Sequence, residues 1–323
     1  MALRWRPLHT EDVGACTEIV ATNPVIRSRY GSTIGDLGRA WLRVLGSGAM
    51  TNAVLEEVES GRPMICGVGV AVFVSDEFIR ELKTSAFWFG PELVKRVLSG
   101  NSPVLSNQQV RKANSAEGLN VLVWEGLAHP AFERRADVSH LMVNAFLETH
   151  RGYHLKEIIS QQIQSVKQLE RITDEGGWYW EPRRDCYLKV LEMDGQEFIS
   201  KPHIVGLTRD LVARRPASWV GTLFDYQPAR FKFTESEQRL LRASLASESG
   251  TDRELAQALG VSVPTVKKAW RSIYDRVAAC APGLIPHDSH ASEGTLQRGT
   301  EKRRRLLAYL RQHCEELRPV ARG

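Results

Sequence analysis

The alternation of apolar and polar positions divides the chain into two parts of different grain. Over residues 64–74, MICGVGVAVFV, Val68, Val70, Val72 and Val74 alternate with Gly69, Ala71 and Phe73, the period of a strand covered on both faces. Ser75 follows as an N-cap for DEFIRELK. LNVLVWEGL (119–127) predicts a second strand, and WYWEPRRDCYLKVLEM (178–193) a third, broken at Pro182. Helical spacing predicts helices over 9–21, over 137–150 (Val138, Leu141, Met142, Ala145, Phe146) and over 154–172 (Leu155, Ile158, Ile159, Ile163, Val166, Leu169). Gly152 and the Gly176-Gly177 pair end the last two. Residues 1–224 are thus expected to form a mixed α/β domain that senses a signal or mediates assembly.

After DYQPARFKF (225–233), an extended connector around Pro228, the pattern is wholly helical. Thr234 with Glu237, and Thr251 with Glu254, are capping-box pairs that open two short helices. Gly260 closes the second, because a left-handed residue is cheap only for glycine. Ser262 caps a third, and Pro264 fits its first turn. On that helix Val266, Trp270, Ile273 and Val277 make one buried stripe. Thr265, Lys267, Lys268, Arg271 and Ser272 fall mostly on other faces. Residues 280–299 lack an apolar period and predict a loop, and EKRRRLLAYLRQHCEELRP restarts an amphipathic helix. The fold class expected is α+β: a mixed α/β N-terminal domain followed by an all-α helix-turn-helix domain over 225–279, with a flexible loop and C-terminal helix over 280–323.

Charge sharpens this division. From Ala229 onward there are 17 Lys and Arg against 11 Asp and Glu, whereas the preceding residues carry 26 against 27. A neutral front and a basic back point to a polyanionic partner for the back. The five cysteines, Cys16, Cys66, Cys186, Cys280 and Cys314, are scattered, which suits thiols in a reducing compartment better than a disulfide framework or a zinc site. The opening MALRWRPLHTEDV has no apolar core of a signal peptide, and no apolar run reaches membrane-spanning length. A cytoplasmic protein with no membrane partner is expected.

The run Phe233–Val277, FTESEQRLLRASLASESGTDRELAQALGVSVPTVKKAWRSIYDRV, resembles a LuxR-type (GerE-type) helix-turn-helix through its Thr-x-x-Glu opening with paired leucines, E-L-A-x-x-L-G-V-S, T-V-K and I-Y-x-x-V. The resemblance implies a DNA-binding transcriptional regulator whose third helix, 263–277, enters the major groove of double-stranded DNA, with contacts at Ser262, Thr265, Lys267, Lys268 and Arg271. It further implies a homodimer, for which the helix over 301–319 is the candidate element. A small-molecule effector of the front domain fits the same reading.

The opening LRWRPLHTEDVGACTEIVATNPVIRSRYG resembles the first strand and helix of GNAT-type N-acetyltransferases. That family holds the pyrophosphate of acyl-CoA on backbone amides of an Arg/Gln-x-x-Gly-x-Gly/Ala loop at a helix start. The nearest candidate in this reading is HRGYHLKEI (150–158), with Arg151 and Gly152 in place but His154 where a small residue belongs. The expectation is therefore of no enzyme, no catalytic residue and no cofactor. The alternative is an acyl-CoA-dependent N-acyltransferase with an accessory DNA-binding domain. His150 and His154 read as a helix-end and a surface histidine, not a metal pair, and Trp178, Tyr179 and Trp180 as core before ligand pocket.

Overall fold

The computed structural model describes residues 2–59, 62–84, 87–161, 179–181, 190–193, 196–199, 204–214, 219–246, 250–285 and 295–321. They form two compact units, Met1–Asp225 and Tyr226–Gly323. The fold is α+β, with the sheet confined to the first unit.

The first unit is built on β1 (Ala2–Arg6), β2 (Met50–Glu59), β3 (Arg62–Val74), β4 (Leu119–Ala128), β5 (Leu155–Ser160), β6 (Tyr179–Glu181) and β9 (Ile204–Thr208), while β7 (Val190–Met193) and β8 (Gln196–Ile199) form a separate pair. The seven strands lie in the order β1-β2-β3-β4-β5-β9-β6. Every neighbouring pair is antiparallel except β4 and β5, which run parallel. A parallel pair needs a crossover, and the helix Ala136–His150 supplies it.

Helices cover both faces of the sheet, as the β3 pattern demands. Val68, Val70, Val72 and Val74 pack with α1 (Val13–Thr22), α2 (Pro24–Tyr30), α3 (Leu37–Leu45), α4 (Asp76–Thr84) and α5 (Phe89–Ser99). Ala71 and Phe73 face the other way, into a cluster that includes Val110 of α6 (Asn107–Ser115) and borders Phe146 of α7 (Ala136–His150). The Arg-Pro-Leu of the opening has a structural role. Arg6 reaches both Asp12 (2.6 and 2.8 Å) and the buried Glu56 of β2 (2.9 Å), tying the first strand to the first helix. Its guanidinium holds the Asp12 carboxyl below the usual carboxylate range.

Two expected elements are corrected. The helix predicted over 154–172 begins as strand β5, because Leu155, Ile158 and Ile159 satisfy a helical spacing and a strand buried on both faces equally well. Its remainder lies outside the described residues. The single strand expected over 178–193 is two strands in different sheets, β6 and β7, with Pro182 among the positions not described between them.

The second unit holds helices Glu235–Ala246, Asp252–Leu259, Val263–Cys280 and Thr295–Gln312. Both capping boxes form: the Thr234 and Thr251 amides donate to Glu237 and Glu254, each 2.7 Å, and the hydroxyls accept in return. Gly260 is left-handed (φ 66°), and the Ser262 hydroxyl accepts from the Thr265 amide. Leu240, Leu241, Leu255, Val266, Trp270, Ile273 and Val277 share one core with Leu306 and Leu310. The stripe offered for a dimer is thus covered within its own unit. Arg303 stacks 4.4 Å above the Trp270 ring and pairs with Asp252. At the chain's end the buried Glu316 accepts the amides of Arg230 and Phe231, both 2.9 Å.

Trp270, 4% exposed, therefore joins three helices. Trp270→Ala should cost about 3–5 kcal/mol in denaturant-induced unfolding of the second unit; a loss under about 1 kcal/mol would mean the indole is not its anchor.

Candidate functional site

The site lies beside the end of β5, where β4 runs on. β4 runs from Leu119 to Ala128, but its ladder with β5 covers only Leu119–Val123, and β5 ends at Ser160. Among the described residues no strand accompanies Trp124–Ala128 on that side. Toward β3 the register shifts, with Val70 opposite Glu125 and Ala71 opposite Val123, so Trp124 is the extra residue of a bulge. The bulge is held by side chains: Trp124 is buried, meets Trp41 edge to face at 6.4 Å, and donates to the Tyr30 hydroxyl at 3.1 Å.

Beside it Glu125 is 5% exposed, accepting from the Tyr30 hydroxyl at 2.6 Å and pairing with Arg29. Arg29 also donates to the carbonyl of Gln161, just past β5. Burial pushes the Glu125 carboxyl up, while Arg29 and Tyr30 pull it down less strongly. The Tyr30 hydroxyl is driven well up by the same burial.

An apolar cavity of about 360 Å3 opens at this seam. Its sheet side is made by Ala53, Leu55, Gly69, Ala71, Val123 and Gly126, and its helix side by residues of α7, including Met142, Ala145 and Phe146. Polar atoms at the margins come from Thr51, Glu125, Thr149, His150 and Ser160. The Ser160 hydroxyl is buried and has no hydrogen-bond partner among the described residues. His150 is 1% exposed, with Nδ1 on the Phe146 carbonyl (2.8 Å) and Nε2 on the Thr51 hydroxyl (2.8 Å). That pairing fixes Nδ1 as the protonated nitrogen.

The turn HRGYHL, expected to resemble a phosphate loop, leads from α7 into β5 through Gly152 (φ 82°). No helix starts there, so its amides form no cradle. The loop that does pass from a central strand into a helix is 129–135, at the start of α7. There Arg134-Arg135-Ala136-Asp137-Val138-Ser139 has the leading arginine of the Arg/Gln-x-x-Gly-x-Gly/Ala pattern but Asp137 and Ser139 in its small positions. Arg135 pairs with Asp137 (2.7 Å) and Glu57 (2.5 Å), and it holds Asp137 below the usual carboxylate range. An incoming anion at this helix start must compete with the Asp137 carboxylate.

The other expected chemistry is placed as follows. Cys16 and Cys66 are buried, burial pushing the Cys16 thiol up to about 12; Cys280 and Cys314 are half-buried, no disulfide forms among the described residues, and Cys186 lies outside them. No metal-holding group of His, Cys, Asp or Glu occurs among the described residues. The side chains of Trp178, Tyr179 and Trp180 lie outside those described. In the second unit Ser262, Thr265, Lys267, Lys268 and Arg271 are all exposed along the start and outer face of helix Val263–Cys280, with the two hydroxyls 2.8 Å apart. No described helix is long and apolar enough to cross a membrane.

No protein-family model matches the chain, and no curated protein does. Solved structures do. The NatC complex bound to Gag peptide and CoA covers 64% of this chain and 100% of its own, at 11% identity and a TM-score of 0.37. Arabidopsis thaliana NAA60 with a bisubstrate analogue covers 64% and 98%, at 14% identity and 0.38. An aminoglycoside acetyltransferase with coenzyme A covers 67% and 100%, at 12% identity and 0.33. At this identity the likeness concerns fold alone. Neither the expectation of no enzyme nor that of a LuxR-type transcription regulator is supported by these comparisons.

Burial of Glu125 has a pH signature. A carboxyl whose folded pKa is raised adds stability that is fully present below its unfolded pKa and fades as pH rises through the folded one. The wild type should therefore lose stability relative to Glu125→Gln on going from about pH 4 to about pH 8 in chemical denaturation; a difference that grows instead would mean the carboxylate form is favoured by the fold.

Proposed function

We propose that the first unit transfers an acyl group from an acyl-CoA thioester to an amine, and that the second unit is an accessory module that holds it on duplex DNA. The observation that carries the first part is the edge of β4 at Trp124–Ala128, which has no strand neighbour beyond β5 among the described residues and runs past an apolar cavity beside a buried carboxylate. An extended ligand arm with amide groups satisfies such an edge by adding main-chain-like hydrogen bonds, and a pantetheine arm is that kind of ligand. Apolar surroundings suit the thioester and its acyl group.

In the reaction the amine nitrogen attacks the thioester carbonyl carbon, the C–N bond forms and the C–S bond breaks. The nitrogen loses a proton and the departing thiolate gains one. Glu125 is the acceptor of the first, since burial makes its carboxylate a stronger base than a solvated one. Arg29 and Tyr30 position it, and Trp124 holds the bulge that presents it. At the far end of the donor Arg134 meets the pyrophosphate, with Asp137 opposing.

Acetyl-CoA should bind the full-length protein in calorimetry, and Asp137→Gly should tighten it. Glu125→Gln should lower turnover of an amine substrate about 10²- to 10⁴-fold while acetyl-CoA binding is kept. Absence of heat for both CoA and acetyl-CoA, with wild type and Asp137→Gly alike, would end the acyltransfer reading.

For the second unit the support is the exposure of Lys267, Lys268 and Arg271, which form no ion pair among the described residues, while Arg303, Arg304 and Arg305 are paired with Asp252 or Glu301. Cations free of internal partners neutralise phosphates, which makes affinity fall steeply with salt. Lys267→Ala, Lys268→Ala and Arg271→Ala should each weaken duplex binding in electrophoretic shift assays and flatten its salt slope by about one, with melting unchanged; binding that survives all three moves the contact elsewhere.

A further inference from the structure

Gly69 and Gly126 face each other across the β3–β4 ladder, and both border the cavity. Glycine weakens a strand interior, so its presence in two paired positions needs a reason. Backbone conformation is not the reason, since neither glycine has a positive φ. Neighbours are not the reason either, because a β-carbon added at either position would meet no heavy atom within 4 Å. By contrast, one at Gly67 would press on the Leu127 carbonyl at 3.3 Å. What the facing pair preserves is open space between the sheet and α7. Small residues continue that space on both walls, with Ala53 and Ala71 on the sheet and Ala145 on the helix.

We infer that this space holds a linear aliphatic chain of medium length, the acyl chain of the donor; this rests on the acyltransferase reading of the same site. An apolar cavity of about 150 Å3 holds benzene, so one of about 360 Å3 takes a chain of roughly ten carbons. Its lining is mostly apolar, with Leu55, Val123, Met142 and Val143 among it, and its polar groups (Thr51, Asn52, Glu125, Thr149, His150 and Ser160) are the minority. The Ser160 hydroxyl, without a hydrogen-bond partner among the described residues, stands at the β5 margin where the described ladder with β4 ends, and is a donor for the thioester end of the chain. A two-carbon acyl group would leave most of the cavity unfilled.

The test compares acetyl-CoA with dodecanoyl-CoA, and dodecanoate alone below its micelle concentration, by calorimetry on the full chain. Each methylene contributes about threefold to fourfold, so dodecanoyl-CoA should bind at least about a hundredfold more tightly than acetyl-CoA. Gly69→Val and Ala145→Leu, which fill the cavity from opposite walls, should remove that advantage and dodecanoate binding. Melting should hold or rise. Equal affinities for the two donors would overturn the chain cavity while leaving acyltransfer standing. Dodecanoate bound with CoA and acetyl-CoA both refused would keep the cavity and end the acyltransferase reading. Binding of the long chain undiminished in both filled variants would place it elsewhere and overturn the inference.

Discussion

The pairing of Arg29 with Glu125 is the contact on which the first unit's site depends. A carboxylate in a sheet interior is tolerated only with a partner, and here the guanidinium arrives from α2, about a hundred residues earlier in the chain. The same guanidinium reaches the Gln161 carbonyl just beyond β5. One side chain therefore links the buried carboxylate of β4 to the residue just past the end of β5, and compensates the charge buried there. The Trp124 bulge, the Tyr30 hydroxyl and the cavity are arranged around that bridge.

The second unit is organised differently. Its helices are set by local chemistry, through Thr–Glu capping boxes and a left-handed Gly260, and they meet on an indole that is also covered by Arg303. Much of the basic run at 302–305 is consumed internally in this way. Lys267, Lys268 and Arg271 of the third helix remain outward, as do Arg239 and Arg253 on the two helices before it.

What could be read from residues alone follows the same distinction. β3 and the three short helices were legible because strand period and capping chemistry are local signals. β5 was misread because Leu155, Ile158 and Ile159 fit two periods at once, and only the parallel ladder with β4 decides between them. HRGYHL carries the Arg-Gly of the phosphate-loop pattern but follows a helix, whereas the strand-to-helix junction Arg134–Ser139 has the leading arginine with Asp137 in a small position, a difference only the order of elements reveals. Glu125 carried one overlooked signal, an acid inside the apolar run LNVLVWEGL. Its partners Arg29 and Tyr30 carried none, because their meeting depends on tertiary packing. The facing glycines were visible only once register was known.

Glu316 gives the second unit a closed circuit. By taking the amides of Arg230 and Phe231 it fastens the last turn of the chain to the first residues of the module. A carboxylate sequestered there is itself raised by burial, and the two amides are its compensation. Excising the three short helices without the tail would strip these amides of their acceptor and uncover Leu240 and its neighbours. The autonomous building block is therefore the whole stretch from the connector to the final turn, not its trihelical heart.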